Sequence, residues 1–302
     1  MFCEKFVENP RHIEVQIIAD QHGNCVHLFE RDCSIQRRHQ KLIEEAPSLY
    51  LNHQQRVELG ERACAIAKAA GYYGAGTVEF ICESPEKIYF MEMNTRIQVE
   101  HPVTEQITGV DLIREQIRVA NGEPLSISQD DIKIQGWSIE CRVNAENPHQ
   151  DFQASLGTIK NMHLPSGFGV RVDTHLYEGY TIPDQFDSMI AKVICHDVDR
   201  EKCIQKTKAA LKELYLGNRP TSVELIQKIL EDPAFIAGDF TTNFLQDRLD
   251  DLLSKKQEVN ETVKGVSLGV LESLQAPKPI QTMDCPNWQK IARQESLSLI
   301  HI

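Results

Sequence analysis

Apolar and polar residues alternate in short runs along much of the chain, a pattern typical of strands that bury one face. Clusters of turn-forming residues separate several of these runs, so neighbouring runs are predicted to pair as hairpins. The predicted strands occupy residues 12–18, 25–30, 76–83, 88–92, 136–143, 157–164, 169–173 and 188–195. The first two form one predicted hairpin, and the next two form a second.

Apolar residues at three- and four-residue spacing predict a set of amphipathic helices. The clearest helix runs from Asn52 to Ala70 and stops at Gly71, a common residue after a helix. The other predicted helices occupy residues 110–121, 199–215, 221–231 and 242–254. Strands and helices together predict an α/β (α+β) protein. A change to a strand-rich pattern places a domain boundary near residues 125–135.

Composition narrows the class of protein without indicating a function. The 302 residues are 41% hydrophobic and 25% charged, which is ordinary for a soluble globular protein. No apolar run approaches the roughly 18 residues of a membrane span, and no signal peptide is visible. A net charge of -12 argues against nucleic acid as the main partner, because phosphates require a basic surface. Nine cysteines without metal-binding spacing are expected to be reduced core thiols in a cytosolic protein.

One alternating run, residues 91–102, carries chemically functional groups where a surface strand has ordinary polar residues. Its polar positions are Glu92, Asn94, Arg96, Gln98 and Glu100. In an extended backbone these five side chains would share one face. The apolar positions, which would then point into a core, are Met91, Met93, Ile97 and Val99. Two carboxylates, two amides and a guanidinium in a single row indicate a functional site.

The turn before this run predicts which residue faces Glu92. If residues 83 and 88 close a four-residue loop, Glu79 lies directly opposite Glu92, with Cβ atoms about 4.5–5.5 Å apart. Two carboxylates at that spacing repel each other unless a cation lies between them. Together with Asn94 they predict an all-oxygen site for Mg²⁺ or Mn²⁺ held with nucleotide phosphates. The alternative is a solvated hairpin whose acids point at water.

A second unusual stretch, residues 31–41, is basic in an otherwise acidic protein. It contains Arg31, Arg37, Arg38, His39 and Lys41. Such a run is usually a solvated charged surface. Because phosphate and bicarbonate are commonly held by Lys and Arg, binding of an anionic substrate by residues 36–41 is the alternative.

Several segments together resemble one enzyme family. They are residues 4–12, 30–41, 44–47, 74–80, 92–105, 140–146, 167–171 and 180–192. On these segments the chain resembles the biotin carboxylase component of the biotin-dependent carboxylases, which are ATP-grasp enzymes, and most closely the component of acetyl-CoA carboxylase. The run from Asn94 to Thr104 is highly specific, whereas the Glu…Glu-x-Asn pattern marks only the wider ATP-grasp group. The resemblance covers residues 1 to about 250.

The resemblance implies a domain organisation. Residues 1–125 would be the C-terminal part of an ATP-grasp domain with an antiparallel sheet, and residues 126–250 a biotin carboxylase C-terminal domain. Residues 251–302 would be a linker or tail, with a non-native remnant considered at its end. Family members carry a nucleotide-binding-like domain and a Gly-rich lid upstream of the segment that matches Glu4. We therefore expect an N-terminally truncated fragment that does not turn over by itself.

The resemblance also implies roles for individual residues. ATP would be bound by Glu4, Lys5, Val7, His12, Gln36, His39, Glu79 and Glu92, and the metal by Glu79, Glu92 and Asn94. Bicarbonate would be bound by Lys41, Arg96, Gln98, Val99 and Glu100. Glu100 would be the base that deprotonates bicarbonate, and the other catalytic residues would be Lys41, Arg96 and Arg142. Arg142 would bind biotin and stabilise the enolate-like oxygen of its ureido ring, although an arginine within a strand is by itself typical of a paired structural residue.

The implied reaction is the ATP- and bicarbonate-dependent carboxylation of biotin on a biotin carboxyl carrier protein, through carboxyphosphate. It is the first half-reaction of acetyl-CoA carboxylase in fatty acid synthesis. Implied partners are carboxyltransferase subunits and a second copy of the chain, in the cytoplasm. The alternatives are part of a multidomain acyl-CoA or pyruvate carboxylase, another ATP-grasp ligase such as carbamoyl-phosphate synthase, and a non-catalytic truncated product that dimerises or binds a partner.

Overall fold

The structure, a computed structural model, describes residues 5–217 and 219–254. The strands in this part of the chain are β1 (Arg11–Ala19), β2 (Cys25–Arg37), β3 (Gln40–Ala46), β4 (Gly74–Ser84), β5 (Lys87–Asn94), β6 (Trp137–Asn144), β7 (Glu146–Asn147), β8 (Gln153–Ala154), β9 (Gly157–Thr158), β10 (Val170–Thr174), β11 (Thr181–Ile182) and β12 (Met189–Asp197). The α-helices are α1 (His53–Ala69), α2 (His101–Thr108), α3 (Leu112–Ala120), α4 (Arg200–Glu213), α5 (Val223–Glu231), α6 (Pro233–Ala237) and α7 (Phe244–Ser254). Two 3₁₀ turns occupy Gln129–Asp131 and Pro148–Gln150.

Eight of these strands form one antiparallel sheet in the order β10-β12-β6-β3-β2-β1-β4-β5. The mixed α/β class with a large antiparallel sheet is therefore confirmed. Strands β3 and β6 come from the two sides of the domain boundary predicted near residues 125–135, yet they pair directly, with Ile43 opposite Cys141. One sheet thus passes through both predicted domains, and the division at residue 125 stays a prediction.

Two large apolar clusters hold the helices against this sheet. One cluster joins β3, β6 and β12 to α4, α5 and α7. The other joins β1 and β4 to α1. Helix α1 begins where the sequence predicts, because Asn52 accepts a hydrogen bond from the Gln55 backbone while the Gln55 side chain bonds back to the Asn52 backbone. β1 is buried along its whole length, as expected for a strand with a neighbour on each side.

The remaining helix and strand predictions were confirmed to different degrees. The strands predicted at 12–18, 25–30, 136–143, 169–173 and 188–195 correspond to β1, β2, β6, β10 and β12. The strand predicted at 157–164 was wrong beyond Thr158, since only Gly157 and Thr158 pair with β11. Short helices α2 and α6 were not predicted, because each spans only about two turns or fewer and carries little periodicity. The segment predicted as a tail from residue 255 lies outside the described residues.

The prediction that residues 91–102 form one extended run was wrong after Asn94. Strand β5 ends there, residues 95–100 turn, and α2 begins at His101 with Pro102 in its first turn. Proline is tolerated there because the first helical N–H groups have no intrahelical partner. Met91 was also predicted wrongly as a core residue. It is 41% exposed, because β5 is the edge strand of the sheet.

The β4–β5 hairpin places Glu79 opposite Glu92, as the sequence predicted. Its turn is shorter than predicted, since Ser84 already pairs with Lys87. One irregularity after Glu79 shifts the register, and a second near the turn restores it. The observed loop is centred between residues 85 and 86, as is the predicted one, and the two register shifts cancel each other, so the count still identified the correct pair.

The described cysteines are free, and six of the seven are buried, namely Cys33, Cys64, Cys82, Cys141, Cys195 and Cys203. This confirms the expectation of reduced core thiols for those residues, whereas Cys3 and Cys285 lie outside the described part of the chain. Of the helices in the described ranges, none combines the length and apolar character needed to cross a membrane.

Candidate active site

A row of charged residues crosses the sheet from β5 to β2. Glu92 faces Glu79, Glu79 faces Glu14, and Glu14 faces Arg31. Directly opposed residues in an antiparallel sheet point to the same face, so these four side chains are neighbours. The sequence interpretation included Glu79 and Glu92 but missed Glu14 and treated Arg31 only as part of the basic run.

Lys41 lies over this row and binds three carboxylates. Its Nζ donates to Glu14 at 2.5 Å, to Glu100 at 2.6 Å and to Glu79 at 3.3 Å. Strand β3 supplies the lysine, and β1 and β4 supply Glu14 and Glu79. The third acid, Glu100, is the residue immediately before α2. A single ammonium group therefore gathers acids from three separate parts of the chain.

Arg31 supports the same cluster from within the protein. Its guanidinium is fully buried, and its Nε donates to Glu14 at 2.6 Å. Its remaining N–H groups donate to the side chains of Gln16, Thr77, Gln98 and Thr104. A buried charge needs a complete set of partners, and this arginine has one. Arg31 therefore orients Glu14 and Gln98 beneath Lys41.

The electrostatics of the cluster favour the charged forms of its residues. Burial raises the pKa of Glu14, but Lys41 and Arg31 outweigh it and hold that pKa at about 2. Burial likewise opposes the ionised form of Glu79, whose pKa is held at about 2 by His12 and Lys41. Burial lowers the pKa of Lys41, while Glu14 and other neighbouring negative groups raise it above its usual range. The centre is thus a network of mutually dependent charges.

The β4–β5 end of the row offers oxygen ligands. The Asn94 amide donates to Glu79 and to Glu92 at 3.1 Å each, so one side chain spans the two carboxylates. His12 Nε2 lies 3.1 Å from Glu79, and its Nδ1 is 2.9 Å from the Gln36 amide. Carboxylate and amide oxygens are the ligands that Mg²⁺ prefers, and Mn²⁺ accepts the same set. The residues present therefore fit a hard divalent cation.

The other end of the site is built around Arg142. Its Nε donates to Glu44 at 2.5 Å, and a terminal nitrogen donates to Glu100 at 3.0 Å. Burial lowers the pKa of Arg142, but Glu44 and Glu100 raise it above its usual range. The pairing expected of an arginine within a strand is present, and one of its two partners is the same Glu100 that binds Lys41. Glu44 was not among the predicted site residues.

Lys192 holds the turn that leads into α2. Its Nζ donates to the Val99 carbonyl at 2.6 Å, and it lies opposite Arg142 in the β6–β12 pair. Gln98, one residue earlier, donates to Glu79 at 2.7 Å. Two side-chain hydrogen bonds to the sheet therefore fix residues 98–99, immediately before Glu100. Lys192 was also missed, because nothing in its own strand distinguishes it from a solvent-facing lysine.

Several predicted site residues lie at the margin of this cluster. Arg96 is exposed, and it donates to the Ile97 carbonyl and to Asn94. His39 is exposed in the turn between β2 and β3. Lys5 binds Glu83 and Tyr89, each at 2.6 Å, near the turn of the β4–β5 hairpin. Val7 is half-buried near the start of the described residues, and Glu4 lies outside them.

The basic run divides between structure and site. Arg37 pairs with Glu146 and Arg38 with Asp151, each at 3.1 Å. Only Lys41 and Arg31 of the run reach the central carboxylates.

Comparison with known proteins defines the class. Residues 1–128 match the family model "Carbamoyl-phosphate synthase L chain, ATP binding domain", and residues 140–247 match "Biotin carboxylase C-terminal domain". Biotin carboxylase 1 of Bacillus subtilis is 53% identical over 247 residues, which are 82% of this chain and 55% of that protein. The Biotin carboxylase of Haemophilus influenzae is 50% identical over 249 residues, 82% of this chain and 55% of that protein.

A solved structure has the same fold. The biotin carboxylase domain dimer of Hydrogenobacter thermophilus 2-oxoglutarate carboxylase, in complex with MgADP, ADP and bicarbonate, has a TM-score of 0.81 and 48% identity. The match covers 84% of this chain and 56% of that one. The chain therefore belongs to the biotin carboxylase family of ATP-grasp proteins. It spans about half the length of the curated relatives that it matches.

Proposed function

We propose that the residues of this chain perform the biotin carboxylase reaction, in which ATP and bicarbonate carboxylate biotin. The observation that carries the proposal is the position of Glu100 between Lys41 and Arg142, at 2.6 Å and 3.0 Å. A carboxylate between two cations can accept a proton from an anionic substrate, because the cations offset the repulsion between the two anions. The alternative of an unrelated ATP-grasp ligase has no comparable use for Arg142 next to Glu100.

Bicarbonate is the first substrate on which these residues act. Glu100 takes its proton, and Lys41 and Arg96 supply positive charge for the resulting dianion. The Val99 backbone and Gln98 position the anion, since both are held in place by the sheet. The deprotonated oxygen then attacks the γ-phosphorus of ATP, the bond from that phosphorus to the β-phosphate oxygen breaks, and carboxyphosphate and ADP are formed.

ATP would lie at the β4–β5 end of the row. Glu79 and Glu92, with Asn94, would hold the divalent cation, which when bound neutralises the phosphate charge. His12, Gln36 and His39 would contact ribose and phosphates, and Lys5, Val7 and Glu4 would face the base. The MgADP in the structure of the Hydrogenobacter protein supports this assignment of nucleotide and metal.

Biotin would lie at the Arg142 end. Carboxyphosphate breaks down to CO₂ and phosphate, and phosphate takes the proton from biotin N1′ so that this nitrogen can attack CO₂. The ureido oxygen gains negative charge in this step. Arg142, preorganised by Glu44 and Glu100, faces that oxygen and stabilises it.

The biological partners follow from the same proposal. Biotin is presented on a biotin carboxyl carrier protein, and carboxyltransferase subunits use the product. The relatives include pyruvate and 2-oxoglutarate carboxylases, so a role in acetyl-CoA carboxylase and fatty acid synthesis is one member of a wider set. A homodimer in the cytoplasm is the proposed state, supported by the dimer of the Hydrogenobacter domain.

The test places residues 1–250 in a full-length context. In a chimera they replace the matching region of Biotin carboxylase 1 of B. subtilis, which is 53% identical. We expect ATP hydrolysis that needs bicarbonate and is accelerated by free biotin, with carboxybiotin formed from labelled bicarbonate. Glu100→Gln in the chimera should abolish the labelled product. A folded chimera whose ATP hydrolysis ignores biotin would contradict the proposal and favour another ATP-grasp ligase.

A non-catalytic role is tested on the chain itself. In a calorimetric titration, we expect the chain to bind MgADP and the Glu92→Gln variant to bind it more weakly. A folded chain without any MgADP binding would favour a role in dimerisation or partner binding.

A further inference from the structure

Four charged residues lie on one face of the sheet behind the proposed biotin site. Glu44 of β3 faces Glu140 of β6, and Arg142 of β6 faces Lys192 of β12. Glu140 and Arg142 are two residues apart on one strand, so their side chains share a face. Helix α2 packs on the same strands and brings Glu100 to Arg142.

Glu44 and Glu140 are both completely buried. Arg142 donates to one oxygen of Glu44. Within the described residues, the second Glu44 oxygen and both oxygens of Glu140 have no hydrogen-bond partner. Lys192 Nζ is 3.9 Å from Glu140, which is too far for a hydrogen bond. This ammonium group instead donates to the Val99 carbonyl and lies 3.5 Å from Asp173. Three buried acceptor oxygens are therefore left without a donor.

Two opposed, buried carboxylates that accept a hydrogen bond at only one of their four oxygens cannot both remain ionised at a reasonable free energy. Burial is the main cause that raises the pKa of each acid, and the charge of Glu44 raises the pKa of Glu140 further. Arg142 and Lys41 oppose the rise at Glu44, and Lys192 and Arg142 oppose it at Glu140, whereas Glu100 adds to both. Glu44 has a charged donor in contact, whereas Glu140 has none within residues 5–217 and 219–254.

We propose that Glu44 and Glu140 form an acid pair that shares one proton, carried by Glu140 and donated to the free oxygen of Glu44, and that the charge left on Glu44 positions Arg142. One proton supplies the missing donor and removes the repulsion between the two acids. A neutral Glu140 also does not compete for the two neighbouring cations. Lys192 remains on the Val99 carbonyl, and Arg142 remains on Glu44 and Glu100.

Glu44 is thus a positioning residue for Arg142. Because Glu140 is neutral, the negative charge of Glu44 acts on Arg142 alone. The role of this geometry in biotin carboxylation rests on the proposed function. The acid pair itself does not, because it follows from the register, the burial and the unpartnered oxygens of the chain.

Infrared difference spectroscopy of the 302-residue chain tests the proton directly. We expect the wild type at neutral pH to show the carbonyl stretch of a buried, protonated carboxylic acid, shifted by deuterium oxide. Glu140→Gln should remove that band and leave the remaining carboxylate bands unchanged. A spectrum in which this substitution removes only carboxylate intensity would overturn the proposal, because Glu140 would then be ionised.

Thermal unfolding supplies a matched pair of variants. Glutamine is a neutral isostere of protonated glutamate, so Glu140→Gln is expected to unfold within about 2 °C of the wild type. Glu44→Gln removes the charge that holds Arg142 and should lower the midpoint by about 5 °C or more, or prevent folding. Equal loss in both variants, a stable Glu44→Gln protein, or a Glu140→Gln protein that fails to fold would each contradict the assignment.

Neither measurement needs catalysis, so the two proposals can fail separately. An acid band that disappears in Glu140→Gln supports the pair even if the chimera forms no carboxybiotin. If the chimera forms carboxybiotin but the chain shows no acid band, the proposed function is supported and the proposed acid pair is contradicted.

Discussion

The two ends of the proposed site are built differently. At the β4–β5 end, Glu92 is exposed on an edge strand, and Asn94 joins it to Glu79. At the Arg142 end, Glu44, Glu100 and Glu140 are buried. Arg142 is held by two of these acids, Glu44 and Glu100, which come from separate parts of the chain. The open end suits a ligand that brings its own charge, such as a nucleotide with its metal. The closed end is preorganised and suits charge that develops only during reaction.

The largest expected effect concerns the buried arginine between the two ends. Arg31→Met removes the guanidinium that is bound to the buried carboxylate of Glu14, and it should lower the free energy of unfolding by about 3–5 kcal/mol. Urea denaturation of the chain measures this loss. Arg38→Met, at an exposed turn, is the matched control and should change stability by no more than about 0.5 kcal/mol. If Arg31→Met lowered the free energy of unfolding no more than Arg38→Met does, the charged row would not be held together by its ion pairs.

The second effect distinguishes the two ends of the proposed site by the reaction step, biotin carboxylation or ATP cleavage, that each one serves. In the chimera, Arg142→Ala should reduce biotin carboxylation by about 10²–10³-fold, because a donor to the developing oxyanion is lost. Bicarbonate-dependent ATP cleavage should fall much less. Both rates are measured under identical conditions with labelled bicarbonate and an ADP assay. Equal losses in the two steps would show that Arg142 is a structural residue shared by both ends.

The third effect is specific to the open end. Glu92→Gln in the chimera should weaken use of Mg·ATP by about 10–100-fold, since the cation loses a charged ligand. The folding stability should hardly change, because Glu92 is exposed. Glu86→Gln, in the turn of the same hairpin, is the control. Near-normal ATP hydrolysis by Glu92→Gln would remove the metal assignment from this hairpin.

The smallest effect tests what burial does to the pKa of a titrating group that has no charged partner in the part of the chain that the structure describes. Burial of His27 lowers its pKa to about 4, from an unfolded value near 6.5. The unfolded chain binds this proton between those values, so stability should be full above pH 6.5 and fall as the pH drops towards 4. At about pH 5 the titration of His27 should lower the free energy of unfolding by about 1–2 kcal/mol relative to neutral pH.

Urea denaturation at mildly acidic and at neutral pH measures the His27 effect. His27→Gln should reduce the difference in unfolding free energy between the two conditions. An unaltered pH dependence in His27→Gln would assign the acid sensitivity to the carboxylates of the site.

Much of the site could be predicted from local pattern and resemblance. Glu79 was placed opposite Glu92 by counting across one hairpin, since cross-strand neighbours depend on a short loop. Glu100, Lys41 and Arg142 were named from motifs, and the structure brings them together. Glu14 was missed, because its position depends on β1 lying between β2 and β4, which no local pattern shows.

The sequence by itself determined the strands and helices with strong periodicity, the family and the residue types of the site. Only the tertiary structure decided that β3 pairs with β6, that the chain turns after Asn94, and that Lys192 holds the Val99 carbonyl. Periodicity depends on residues a few positions apart, so it survives without knowledge of the fold. Glu44 pairs with Glu140, and Lys192 with Arg142, although these residues lie far apart in the chain. Such pairs arise only when the strands assemble into the sheet.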